Sequence, residues 1–110
     1  MSSSANKQKG TRFEREVVEF IDSHKPYPVE RRAQHGAFDR GDVMGVPDWA
    51  LECKAVQVWS KKLGSFVREA ETEAENANVP FGAVVVKRRG DSVDRAYVVM
   101  SLEQFVKIIP

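Results

Sequence analysis

The chain has 110 residues, 42% of them hydrophobic, with a formal charge of +1; this is enough for one modest core and too little for two. So even a balance gives no global pull on polyanions, and any affinity for nucleic acid has to come from how the charges cluster. One cysteine, Cys53, excludes an internal disulfide scaffold, and apolar runs such as Gly82 to Val86 fall far short of the roughly 18–20 residues that span a bilayer.

In chain order, residues 1–8 are rich in Ser, Asn and Lys and read as a flexible tail ahead of a single domain over 9–110. No apolar stretch follows the basic residues of MSSSANKQKG to serve as a signal sequence, so a cytoplasmic protein without a membrane segment is expected. Phe13, Val17, Phe20 and Ile21 recur at helical spacing and predict a first helix from Lys9 to about His24, whose charged form suits the helix end. Val29 to Ala33 reads as a short strand and Gln34 to Gly41 as a loop. Extended segments at about 42–45 and 49–56 flank Val46-Pro47-Asp48, a hairpin turn. Leu63, Phe66, Val67, Ala70 and Ala74 share one face of a second helix over roughly 61–77. Two β-branched runs, Ala83 to Val86 and Ala96 to Val99, surround a turn at Arg89 to Ser92, and Ser101 caps a last helix from Leu102 to Ile109. The fold class this predicts is α/β: a single domain with a mixed central β-sheet flanked by helices.

The hairpin brings chemistry together. Centred on Pro47, it sets Asp42 opposite Glu52, Val43 opposite Leu51 and Met44 opposite Ala50, with facing β-carbons about 4.5–5.5 Å apart. Alternation then puts Trp49, Leu51, Cys53 and Ala55 on one face, and Glu52, Lys54 and Asp42 on the other. A one-residue slip would destroy both groupings. Two carboxylates so close repel unless a cation lies between them or one holds a proton. Mg2+, for which Mn2+ can substitute, is commonly held by one or two carboxylates, water and a substrate phosphate. The plainer alternative is an exposed Glu52–Lys54 ion pair. Glu14 falls between Ile21 and Val18 in the apolar arc of the first helix, where a carboxylate is costly unless paired or bound to metal. Its plainer alternative is a salt bridge to an arginine.

Lys9-Gly10-Thr11-Arg12-Phe13-Glu14-Arg15-Glu16, Arg40-Gly41-Asp42-Val43 and Glu52-Cys53-Lys54 together resemble the PD-(D/E)XK nuclease superfamily, and within it the archaeal and phage Holliday-junction resolvases. The resemblance spans roughly residues 9–90. It implies a restriction-endonuclease-like fold and a Mg2+-dependent endonuclease acting on branched or duplex DNA as a homodimer, in a host cell's cytoplasm if phage-encoded. By it, Asp42, Glu52 and the Cys53 carbonyl are metal ligands, Lys54 is the catalytic base or stabiliser, and Glu14 reaches the metal shell directly or through water. Gly41-Asp42 stands where the family has Pro-Asp, while the literal Pro47-Asp48 lies too far from Glu52 to share an ion and is read as a turn. Residues 33–41 lack the serine that related resolvases often carry before the aspartate. Another repair or restriction-like nuclease of the superfamily, or a non-catalytic nucleic-acid-binding module of the same fold, are the alternatives.

DNA contacts are expected from Lys9, Arg12, Arg31, Arg32, His35, Arg40, Lys61 and Lys62, with Lys87-Arg88-Arg89 a further basic cluster. Gln57 and the Gly-flanked His35 are weaker candidates. Trp49 alternates with core residues and is expected to be buried rather than to stack on bases.

Overall fold

In a computed structural model, residues 3–33 and 38–110 are described, with side chains from residue 10 onward. The first helix, α1, spans Ser3–His24 and so starts ahead of Lys9. Two short strands follow, β1 (Glu30–Arg31) and β2 (Val43–Met44), then a longer one, β3 (Trp49–Lys54). A 3-10 turn at Ser60–Lys62 leads into α2 (Leu63–Ala77), which ends where Asn78 takes a left-handed conformation (φ 57°) and donates its N–H to the Ala74 and Glu75 carbonyls. The chain closes with β4 (Phe81–Val86), β5 (Tyr97–Val99) and α3 (Leu102–Ile108). Ser101 is the N-cap, its hydroxyl accepting the Gln104 N–H at 3.2 Å.

The five strands form one sheet in the order β1-β2-β3-β4-β5. The β3–β4 pair is parallel, crossing over through α2, and the other pairs are antiparallel, so the sheet is mixed. Val43 faces Leu51, the register expected from the hairpin. The turn has the signature of a type II turn: Pro47 supplies the first central position, Asp48 the second at φ 71°, and Val46 O accepts the Trp49 N–H at 3.3 Å.

The sheet is covered on both faces. Against α1, Phe13, Val17 and Val18 pack on Val43, Leu51, Cys53, Ala83 and Val85, with Trp49 and Ala55 partly buried beside them. Against α2, Phe66 packs on Val84 and Val86. Gly82 lets α2 come down on β4: a β-carbon there would lie 2.2 Å from the Ala70 carbonyl oxygen. On the other side of Gly82, α3 stands in for a strand. The buried Gln104 carboxamide accepts the Gly82 N–H and donates to its carbonyl, both at 2.7 Å, as a neighbouring peptide group would. Among the described residues no helix is long and apolar enough to cross a membrane.

Candidate metal centre

Alternation along β3 sends Leu51 and Cys53 towards α1 and Glu52 and Lys54 towards α2. With α2 laid over that face, Glu52 is only 5% exposed. Asp42, 2% exposed, sits where the β2–β3 ladder breaks down: past the Val43–Leu51 pair its N–H donates to Leu51 O at 2.8 Å, and its Oδ2 accepts the Cys53 N–H at 2.8 Å. The carboxylate thus replaces a strand carbonyl. Gly41 makes this approach possible, since its φ is +96° and a β-carbon would meet Leu51 O at 2.9 Å.

The charged face gains members that hairpin reasoning does not supply. Asp39, Glu52, Glu69 and Glu73 each bring one oxygen to a group whose members all lie within 4.8 Å of one another. Glu69 and Glu73 are one turn apart on α2. Asp39 belongs to the loop before β2, where its Oδ1 accepts the Gly41 N–H at 2.9 Å and its carbonyl accepts from the Asn76 side chain at 2.8 Å. Asp42 borders this group through Glu52, with which its carboxyl interacts. Lys54 closes one side, its Nζ 3.0 Å from Glu69 and 3.3 Å from Glu52.

Glu73 has a signal in the sequence. At about 100° per residue it lies next to Phe66 at the margin of the apolar stripe of α2, a weaker mark than that of Glu14, which falls inside its stripe. Asp39 has none of that kind, because its place depends on how the loop docks on α2.

Burial controls the electrostatics. It pushes the Glu73 carboxyl up to about 10, with the Glu52 charge adding to the effect. Glu52 rises to about 8 through burial and then the Asp42 charge. For Asp42 burial outweighs the Cys53 N–H bond, and with the Glu14 and Asp39 charges raises it to about 6. Metal-free protein at neutral pH therefore keeps Glu52 and Glu73 protonated and Asp42 largely ionised. Lys54 moves the other way from a buried amine: burial lowers its pKa, but Glu69 and Glu52 more than offset this and raise it overall. Burial also pushes the Cys53 thiol up, as does the Asp42 charge.

No protein-family model, curated protein or solved structure matches the chain.

The other expected site residues are spread more widely. Glu14 accepts a hydrogen bond from Arg31 Nε at 2.7 Å, so its salt bridge is formed, and although its charge is felt at Asp42 its oxygens lie outside the carboxylate group. Cys53 presents its side chain to the α1 core. Arg12 and Gln57 line a shared pocket, Arg32 has a buried Nε with no hydrogen-bond partner, and Arg40, Lys61 and Lys62 are exposed. His35 lies outside the described residues, as does the side chain of Lys9. Asp48 is a turn residue, away from the group.

Proposed function

We propose that the chain is a metal-dependent DNA endonuclease of the PD-(D/E)XK kind that hydrolyses phosphodiester bonds at the carboxylate group around Glu52. One observation carries the reading: Glu52 Oε1 and both oxygens of Glu73 are buried with no hydrogen-bond donor from outside the carboxylate group, which leaves the acids only one another's protons to share. Buried carboxyl groups whose only partners are other acids are costly to ionise. A hard divalent cation matches them, being bound through oxygens and tolerating several carboxylates at once. Glu52, Glu73, Asp39 and Glu69 would hold Mg2+ or Mn2+, with Asp42 beside them. When bound, such an ion acidifies a water and neutralises charge on phosphate oxygens.

The protein's own groups divide the remaining work. Lys54 stays charged between Glu52 and Glu69, which suits it to stabilising charge on the phosphoryl oxygens rather than to acting as a base. Asp42 is held in place by the Cys53 N–H. The order α1, three strands, α2, β4 agrees with the superfamily resemblance of the Lys9–Glu16, Arg40–Val43 and Glu52–Lys54 motifs. From the same motifs, the substrate is a four-way DNA junction and the working form a homodimer.

The test is cleavage of a four-way junction beside matched linear duplex, with Mg2+ and with chelator. Junction cutting that is lost in Glu52→Gln and in chelator is expected. Equal cutting of linear duplex would move the assignment to a repair or restriction-like nuclease. Uncut DNA with normal binding would replace catalysis by a nucleic-acid-binding role.

A further inference from the structure

Just beyond Lys54 the chain builds a second polar feature of opposite sign. Ala55, Val56 and Gln57, continuing from β3, meet Lys87 and Arg89, continuing from β4, and Arg12 of α1, around a pocket of about 240 Å³. Parallel pairing puts these continuations side by side: Lys54 faces Val86, and the Lys87 N–H donates to the Lys54 carbonyl at 3.0 Å.

Three cations line this pocket and no carboxylate does, in a chain with 16 acidic residues against 17 Lys and Arg. Elsewhere cations find acids: Arg31 pairs with Glu14, Lys54 with Glu52 and Glu69, and Arg88 with Asp91. Among the described residues, none of the ion pairs involves Arg12, Lys87 or Arg89. Arg88 turns away from its neighbours to lie over the Tyr97 ring, 4.5 Å from its centroid, which leaves Lys87 and Arg89 to the pocket. Gln57 contributes a neutral amide able to donate two further hydrogen bonds. Like charges held together without counter-charge repel, and an anion relieves that repulsion. Two guanidinium groups, an ammonium and an amide form a donor set for phosphate oxygens. The place also fits, since ligands of open α/β sheets gather beyond the carboxyl ends of parallel strands.

We propose that Arg12, Gln57, Lys87 and Arg89 form a phosphate subsite that takes a backbone phosphate of the DNA other than the one at the Glu52 group. The assignment deepens the phosphodiesterase reading and rests on it for the identity of the strand. The carboxylates receive the scissile phosphate with an ion to offset its charge. The pocket receives a different phosphate with cations alone and helps to set the position of the DNA.

The experiment measures duplex binding across a range of salt concentrations in chelator, where cleavage plays no part. Removing one phosphate contact lowers the slope of log K against log salt by roughly 0.9. Lys87→Gln is expected to show that loss with equal weakening on unrelated sequences, and Gln57→Glu, an exposed position that keeps the pocket's size, to shift the slope in the same direction. Titration of inorganic phosphate, followed through the Gln57 side-chain amide by NMR, is expected to perturb that amide and to be competed by duplex. Unchanged slopes in both variants would overturn the subsite, whatever the cleavage assay gives. Phosphate that moves the Gln57 amide while duplex does not would overturn its assignment to DNA. Reduced slopes in a protein that cuts no DNA would leave the subsite standing and remove the nuclease.

Discussion

Replacing Glu73 by Gln tests the physics of the carboxylate group without substrate. Glu73 is 2% exposed and its carboxyl is pushed from 4.5 to about 10 by burial and the Glu52 charge. A carboxyl with a raised folded value holds its proton in the native state after the unfolded chain has released it, so its contribution is complete below the unfolded value and fades as pH rises towards the folded one. The interval from pH 5 to pH 8 lies wholly inside that window. At no more than about 1.4 kcal/mol per pH unit, Glu73 costs the cation-free protein at most about 4 kcal/mol over this range. Gln keeps the shape, cannot ionise, and can still donate a hydrogen bond to Glu52 as the protonated Glu73 does. Urea unfolding in chelator, followed by the fluorescence of Trp49 and Trp59, is expected to show wild type losing stability from pH 5 to pH 8 and Glu73→Gln losing on the order of 2–4 kcal/mol less. Equal losses in the two proteins would refute the claim that Glu73 is a buried acid held near Glu52.

Gln104→Ala leaves the Gly82 N–H and carbonyl without their partners, and is expected to cost on the order of 2–4 kcal/mol in chemical denaturation, since those bonds are both 2.7 Å and buried. Cys53 is 9% exposed and its thiol is pushed up by burial. Its native-state reaction with a thiol reagent at neutral pH is expected to run roughly 10³-fold or more slower than in denaturant, tracking the unfolding equilibrium; fast native labelling would contradict its burial.

Short-range chemistry made much of this molecule readable. Val46-Pro47-Asp48 sets the hairpin, and the Val43–Leu51 register with the alternation of β3 follows from it. Ser101 announces α3 because its hydroxyl has a backbone N–H to accept within one turn. What the sequence conceals depends on how elements stack. Glu52 and Lys54 could be assigned to one face, but nothing local says that α2 closes over that face. Asp39 and Glu69 therefore went unrecognised, although Glu73, beside Phe66 on the helix, carried a visible mark. Glu14 shows the same limit in reverse: its place in the apolar arc demands a partner, and only the position of β1 makes that partner Arg31.

Ala70 and Gly82 carry no reactive group, yet their contact governs the carboxylates. The helix rests on β4 at a spot where even a methyl group would come within 2.2 Å of the Ala70 oxygen, and Glu69 and Glu73, one turn apart, precede and follow Ala70 along that helix. The height of α2 above the strands is thus the gap across which those two acids reach Glu52. Any side chain at position 82 would act as a wedge, lifting the helix and spreading the oxygens apart without a change to any ionisable residue.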